Sequence, residues 1–260
     1  MRQERQVGIV MPARNEWSIA QSGGLLEKIL QDIPHNFRPQ VYVCVNNSDP
    51  AFVETMKDVV SQDDRIKMVD LGNPMKLGWA YAYLYGLKWA AEDNSEYVIE
   101  MDANGAHKPD YIPQFLNSLE GASAALSSRF TRGGGIEKYP FQRRVISKSG
   151  TIASNLILGL GTWVDDMTSG YEAFRKEVLG DIFSTQPIEK WISATRGPGH
   201  FYQTEMRTLV IWRGYDFEIV PIVWGNDRTQ EPVKIPLKTV LNAFQSLLIL
   251  RARKGKLSRK

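Results

Sequence analysis

Cysteine is nearly missing from this chain: Cys44 is the only one in 260 residues. An internal disulfide framework is therefore excluded, and a reducing, cytoplasmic compartment fits. With three histidines beside it, no zinc-type ligand spacing can be written. No apolar run reaches the ~18 residues that a membrane-spanning helix needs. The start, Met1 to Gln6, is polar and leads straight into a strand, so no signal peptide is expected. Neither sign of charge dominates, since 32 basic and 29 acidic residues give a formal +3. That balance excludes a general nucleic-acid coat and leaves room only for local basic patches. Internal repeats and low-complexity linkers are also lacking, so nothing divides the chain. Its 43% of hydrophobic residues suffice for one large α/β core.

Apolar runs and helical spacings alternate through the first half. Val7 to Met11, Val41 to Val45, Arg65 to Leu71 and Tyr97 to Asp102 read as strands. Cys44 lies in the second and is expected to be a small core residue. Helices fit between them: Leu25 to Ile33 before Pro34, a segment around Phe52 to Val60, and an aromatic-rich stretch from Lys76 to Glu92. Repeated β-α units of this length imply a mostly parallel sheet with helices on both faces. The second half is less regular. It offers a small-residue strand at 122–128, a helix over 146–160 and a loop over 181–199 with one helical turn near Trp191. A helix over 201–212 and a strand over 217–223 follow. Leu237 to Leu248 keeps helical spacing and is expected to pack on the sheet. The domain is placed at 1–250, and the basic tail 251–260 is expected to be disordered. With no acid between Arg251 and Lys260, that tail could also attract anionic lipid or DNA phosphate.

Tyr97 to Asn104 is the most informative segment. A buried strand ends abruptly at Asp102, and the chain breaks at Gly105. Ligands of open α/β sheets collect outside such strand ends. Asp102 could cap the turn there, or hold a divalent cation that clamps a diphosphate. Asn104 keeps a carbonyl oxygen for a hard metal but lacks the charge of an aspartate. Residues 127–150 carry Arg129, Arg132, Lys138, Arg143, Arg144 and Lys148 against Glu137. A solvated face is one reading of that cluster. The neighbouring Gly133-Gly134-Gly135 implies either a mobile segment or a close backbone approach to a ligand, and bare N–H groups can bind anions.

Taken together these segments resemble the family 2 glycosyltransferases of GT-A fold, and within them the dolichol-phosphate mannose synthases. The resemblance runs from about Val7 to Leu250 and rests on the order and spacing of several weak motifs. Pro12-Ala13-Arg14-Asn15-Glu16 is similar to the first-strand motif that holds the nucleotide. Asp102-Ala103-Asn104 is similar to the metal-binding Asp-x-Asp, and Asp166-Met167-Thr168-Ser169-Gly170-Tyr171 to Asp-x-Thr-Ser-Gly-Phe. Ser128-Arg129-Phe130 with the glycines resembles the acceptor loop, and Arg143 to Ser147 the helix start after it. Gln203-Thr204-Glu205 resembles the Gln-x-Glu helix, and Asp227-Arg228 with Lys234 the phosphate-binding segment. Asn46-Asn47-Ser48 departs from the usual Asp-Asp-x-Ser. Ala106 replaces a metal-contacting amide, and Glu231 and Val233 depart from Gly-x-Ser-Lys.

The resemblance implies a single GT-A (Rossmann-like) domain. Its activity would be the metal-dependent, inverting transfer of a hexose from a GDP- or UDP-sugar to a polyprenyl phosphate at a membrane surface. The expected cofactor is Mg²⁺ or Mn²⁺, held by Asp102 with Asn104. Pro12, Ala13, Arg14, Asn15, Glu16, Asn47, Lys76 and Ala103 would join these on the nucleotide sugar, with Arg228 and Lys234 clamping the diphosphate. Arg129, Gly134, Gly135, Arg143, Ser147 and Glu205 would meet the acceptor. A phosphate acceptor is already anionic, whereas a hydroxyl needs a base, for which Asp166 and then Asp165 are the candidates. That requirement belongs to a second reading, a viral-type transferase acting on hydroxymethylated pyrimidines in DNA. Phe130, Tyr139, Phe141 and Trp163 would be its wedge candidates. A nucleotide-sugar-binding pseudoenzyme is the third.

Overall fold

The computed structural model describes residues 5–21, 24–72, 78–137, 141–195, 199–225 and 236–258, apart from the side chains of Ala20, Gln142, Arg143 and His200. In chain order the first half runs β1 (Arg5–Ala13), α1 (Leu25–Asp32), β2 (Phe37–Val45), α2 (Pro50–Gln62) and β3 (Ile66–Asp70). It continues with α3 (Trp79–Glu92), β4 (Tyr97–Glu100), α4 (Ile112–Gly121) and β5 (Ala124–Ser128). The second half follows as β6 (Gly135–Ile136), α5 (Phe141–Leu158), β7 (Glu172–Arg175), α6 (Lys176–Thr185) and α7 (Ile192–Thr195). It closes with α8 (Tyr202–Trp212), β8 (Phe217–Pro221), β9 (Val223–Trp224), α9 (Leu237–Ala252) and α10 (Lys254–Leu257).

Seven strands form one sheet in the order β3-β2-β1-β4-β7-β5-β8. All neighbouring pairs are parallel except those that β7 makes with β4 and β5. The expected mostly parallel α/β domain is therefore what forms. Strand periodicity explains the two cores. Val7, Ile9 and Met11 of β1 point to the layer holding α1, α2 and α4, together with Val41, Val43 and Val45 of β2. Val10, Tyr42 and Cys44 point to the opposite layer, with α3, α6 and α8. A strand covered on both faces needs apolar residues at every position, which is why these runs do not alternate. Cys44 is a fully buried core residue, and burial pushes its thiol up to about 12. Gly86 lets α3 lie against it: a Cβ there would stand 2.5 Å from both Cys44 Sγ and Val10 Cγ1.

Three expectations need correction. The loop expected from 181 starts later, because α6 continues to Thr185, and β7 before it carried too little periodicity to be read. The tail is ordered through Ser258 rather than disordered. Leu257 is buried, Arg251 Nη1 donates to the Leu158 carbonyl (3.0 Å), and Lys254 Nζ donates to that of Gly159 (2.6 Å). These cations satisfy carbonyls left open at the end of α5, a favourable place for positive charge. Third, α9 packs chiefly on α5 rather than on the sheet.

Candidate active site at the strand ends

The carboxyl ends of β1, β2 and β4 lie side by side in the middle of the sheet. The turns beyond β1 and β2 are locked together. Asn15 Nδ2 donates to Asp49 Oδ2 (2.9 Å), and Asp49 N donates back to Asn15 Oδ1 (2.8 Å). Both turns need a left-handed residue, and asparagine fills it at Asn15 (φ 61°) and Asn47 (φ 53°). Arg14 Nε reaches the Asn47 carbonyl at 3.2 Å, and the Arg14 N–H bonds to the Glu16 carboxylate. The first-strand motif and Asn47 thus form one rigid rim.

Asp102 stands beside that rim. Its backbone N–H donates to His107 Nδ1 (2.8 Å), so the buried imidazole carries its proton on Nε2. Burial, opposed only by the nearby Asp102 carboxylate, lowers the His107 pKa and keeps the ring neutral. His107 in turn stacks on Tyr171, with ring centroids 4.8 Å apart. The Tyr83 hydroxyl donates to Asp102 Oδ1 at 2.5 Å. Burial first, and then the charge of Asp102, hold that phenol far above its ordinary range, so it stays a donor. Tyr83 stacks on Tyr202 (5.3 Å, 10°), whose hydroxyl bonds to the buried Glu100 carboxyl. Asp102 itself keeps 30% of its side-chain surface exposed. The Asp102 carboxylate is therefore oriented by Tyr83 and remains half-exposed.

No group of three or more metal-ligating side chains occurs among the described residues. The donor set is a single hard carboxylate, which suits Mg²⁺ or Mn²⁺ only if water and diphosphate oxygens complete the shell. Asn104 Oδ1 accepts the Ala106 N–H (2.9 Å) and closes the turn at Gly105. That bond gives Asn104 a turn-forming role beside the ligand role expected of it.

The acceptor side differs more from expectation. Asp166 has no exposed surface and pairs with Arg129 through two bonds, Nε to Oδ2 (2.7 Å) and Nη2 to Oδ1 (2.8 Å). The Arg129 and Thr168 backbone N–H groups complete its shell. Burial alone would raise this carboxyl, but the Arg129 charge and hydrogen bonds, helped by Arg207, hold it at about 2. A carboxylate so satisfied is a poor general base, so Asp166 is corrected from base to structural anchor. Arg129 is correspondingly committed inward, with Nη2 also donating to Thr168 Oγ1 (2.6 Å), and is not a free acceptor ligand. Asp165 beside it is exposed.

Two of the three glycine N–H groups are taken by the chain itself. Gly134 N donates to Thr131 O (2.9 Å) and Gly135 N to Ile222 O (2.9 Å). The close approach is to the chain itself, since a Cβ on Gly134 would lie 2.5 Å from the Ser128 carbonyl. Glu205 is also buried. Its carboxylate receives the Ile192 and Ser193 N–H groups, each at 2.9 Å, and so caps the start of α7. Ser147 is half-exposed on α5. Lys76, Arg228, Lys234 and the Arg143 side chain lie outside the described residues.

Tyr83 and His107 escaped the sequence reading. Tyr83 sits among aromatics that read as core, and His107 carried no assigned role. Arg207 was missed as well. It is fully buried and bonds the Glu172 carboxylate, the Asp166 carbonyl and the Ser127 carbonyl (2.9 Å for the last). An arginine just ahead of the apolar run Leu209 to Trp212 was the available signal.

A mostly parallel sheet with an oriented carboxylate beyond its central strand ends places a candidate ligand site where open α/β sheets bind their ligands. The chain belongs to glycosyl transferase family 2, whose family model matches residues 8–183, and it is a nucleotide-sugar-dependent glycosyltransferase. It is 30% identical over 192 residues to polyprenol monophosphomannose synthase of Mycolicibacterium smegmatis, covering 73% of this chain and 69% of that one. To undecaprenyl-phosphate mannosyltransferase of Micrococcus luteus it is 30% identical over 149 residues, 57% of each chain. Among solved structures it resembles glucosyl-3-phosphoglycerate synthase of Mycobacterium tuberculosis bound to UDP, with a TM-score of 0.60 at 14% identity, covering 98% and 82% of the two chains. The same enzyme with Mn²⁺, UDP and phosphoglyceric acid gives 0.59 at 16% identity, covering 98% and 80%. These neighbours share the GT-A fold.

Proposed function

We propose that the protein transfers a hexose from a nucleotide-diphosphate sugar to a polyprenyl phosphate, with inversion at the anomeric carbon. Mannose is the sugar named in both curated relatives. The observation that carries the acceptor is the locked state of Asp166. The motif carboxylate nearest to a base role is paired with Arg129 and held at about 2. A phosphate monoester needs no base, because it is already anionic near neutral pH. Its oxygen attacks C1 of the sugar while the C1–O bond to the diphosphate breaks, and the nucleoside diphosphate leaves with the electron pair. The carboxylate of Asp102 would hold a divalent cation, with Asn104 as an auxiliary ligand. When bound, that cation supplies charge against the leaving diphosphate. Tyr83 and His107 fix the direction of Asp102. Pro12 to Glu16, Asn47 and Ala103 form the donor rim, and Arg228 and Lys234 are proposed as diphosphate clamps.

Nothing in the comparisons favours a DNA acceptor. The test is to supply a panel of GDP- and UDP-hexoses with Mg²⁺ or Mn²⁺. Polyprenyl phosphate, the matching free polyprenol and hydroxymethylated DNA are offered in parallel. Transfer to the phosphate alone is the expected result. Transfer to either hydroxyl acceptor would overturn the acceptor assignment, and binding without transfer would support a pseudoenzyme.

A further inference from the structure

Two packed helices, α5 and α9, carry large apolar side chains on the outside. Phe141, Val145, Ile152 and Leu156 of α5 are exposed, Phe141 to 78%. Their spacing of i, i+4, i+11 and i+15 puts them on one face. On α9, Leu237, Val240, Leu241, Phe244 and Leu248 are exposed, Leu237 to 72%. Their i, i+3, i+4, i+7 and i+11 spacing again selects one face. Isolated exposed leucines are ordinary, but such a stripe on each of two neighbouring helices is not. The α9 stripe is also what the expected packing on the sheet would have covered.

Charge indicates what covers these stripes instead. Neither α5 nor α9 contains an aspartate or glutamate, while Arg143, Lys148 and Lys238 lie on them, as do Arg144 and Arg251, each of which spends one guanidinium N–H on a backbone carbonyl of the chain. A helix pair with an apolar face, basic residues and no acid matches an anionic bilayer surface, where side chains enter the acyl boundary and cations stay among the headgroups. No helix among the described residues is long and apolar enough to cross a membrane, so contact is lateral.

The same helix is tied to the acceptor side of the site. Asn155 of α5 exchanges two hydrogen bonds with the Val164 backbone (both 2.9 Å), and Thr151 Oγ1 accepts the Met167 N–H (3.0 Å). These bonds fix the 164–167 loop, with Asp165 and Asp166, to the body of α5. We infer that the α5–α9 face docks on an anionic lipid bilayer and presents the acceptor side of the site to that surface. The link to a lipid-borne acceptor rests on the proposed function; the docking itself does not.

The test is flotation of the full chain with vesicles of phosphatidylglycerol and phosphatidylcholine in equal parts, containing no polyprenyl phosphate and no donor. Most of the protein should float with these vesicles and much less with pure phosphatidylcholine. Leu241→Glu with Phe244→Glu should lower the bound fraction about tenfold or more, because exposed apolar side chains are exchanged for acids. The same variant should keep wild-type transfer to a short-chain, water-soluble polyprenyl phosphate and wild-type circular dichroism. Binding that is absent, or unchanged by the double substitution, overturns the docking surface. A concentration-dependent dimer that the substitutions dissociate, without vesicle binding, assigns the face to a second copy and also overturns it. Vesicle binding with no transfer to any polyprenyl phosphate supports the surface while refuting the proposed acceptor.

Discussion

Replacing Arg129 with Met removes the counter-charge of a carboxylate that has no exposed surface. In the wild type, burial pushes the Asp166 carboxyl up, and Arg129, with Arg207 and the Thr168 N–H, pulls it down further, to about 2 against an ordinary 3.8. That difference is worth on the order of 2 kcal/mol at neutral pH. A depressed carboxylate stabilises in one direction. In the window between 3.8 and about 2, the unfolded chain binds a proton that the folded chain refuses. The contribution is therefore complete above that window and lost as pH falls through it. In Arg129→Met the opposing charge is gone and burial carries the carboxyl upward. Stranding a buried charge costs roughly 3–5 kcal/mol. The variant recovers part of this on acidification, because Asp166 takes up a proton. Urea unfolding at neutral pH and about 2.5 pH units lower should show the cost shrinking by at least ~1 kcal/mol. Asp166→Asn in the Arg129→Met background should add little, giving a coupling energy of ~2 kcal/mol in the double-mutant cycle. A cost under ~1 kcal/mol that ignores pH would refute the buried pair and revive Asp166 as an available base.

Asp102→Ala should abolish metal-supported transfer while thermal melting of the unliganded protein stays close to wild type; full turnover by the variant would remove Asp102 from the mechanism. Tyr83→Phe deletes the hydrogen bond that aims Asp102. It should raise the metal concentration for half-maximal activity about tenfold, the scale of one charge-assisted hydrogen bond. A fall in kcat alone, with metal dependence unchanged, would argue against aiming. Gly86→Ala places a methyl 2.5 Å from Cys44 Sγ and Val10 Cγ1. It should destabilise the fold by ~1–3 kcal/mol by overpacking, and unchanged denaturant midpoints would contradict that close approach.

The parallel half of the fold was legible because its signal is local. Val7 to Met11 and Val41 to Val45 are uninterrupted apolar runs, and a strand buried on both faces admits little else. The antiparallel strand β7 was not legible. It spans four residues, begins with Glu172 and ends with Arg175, and Glu172 is tolerated inside only because Arg207 arrives from a helix 35 positions later. Burial still pushes the Glu172 carboxyl up to about 7, against the opposing charge of Arg207. The α9 helix shows the converse. Its spacing announced an apolar face correctly, but hydrophobic periodicity does not name the partner of that face. The basic tail misled for a related reason: cations at a chain end look solvated until a helix terminus is brought to them, as Leu158 and Gly159 are brought to Arg251 and Lys254.

The site itself divides along one physical line. The break after the fourth strand was readable, with Asp102 two residues beyond the end of β4, whereas the left-handed turns at Asn15 and Asn47 were not foreseen. Motif residues whose value depends on a distant partner were read as if they faced the ligand. Asp166, Arg129 and Glu205 all point inward, and each satisfies a group far away in the sequence. A charged residue in a shared motif can hold the cleft open as easily as it can line it. The two roles separate by desolvation. A lining residue must stay wet enough to exchange its water for a ligand, as the half-exposed Asp102 is. An anchoring residue must have all its hydrogen-bonding capacity met by the chain, as Asp166 does. On that criterion Asp165, exposed and one residue along, meets the requirement of a lining residue, as the half-exposed Asp102 does.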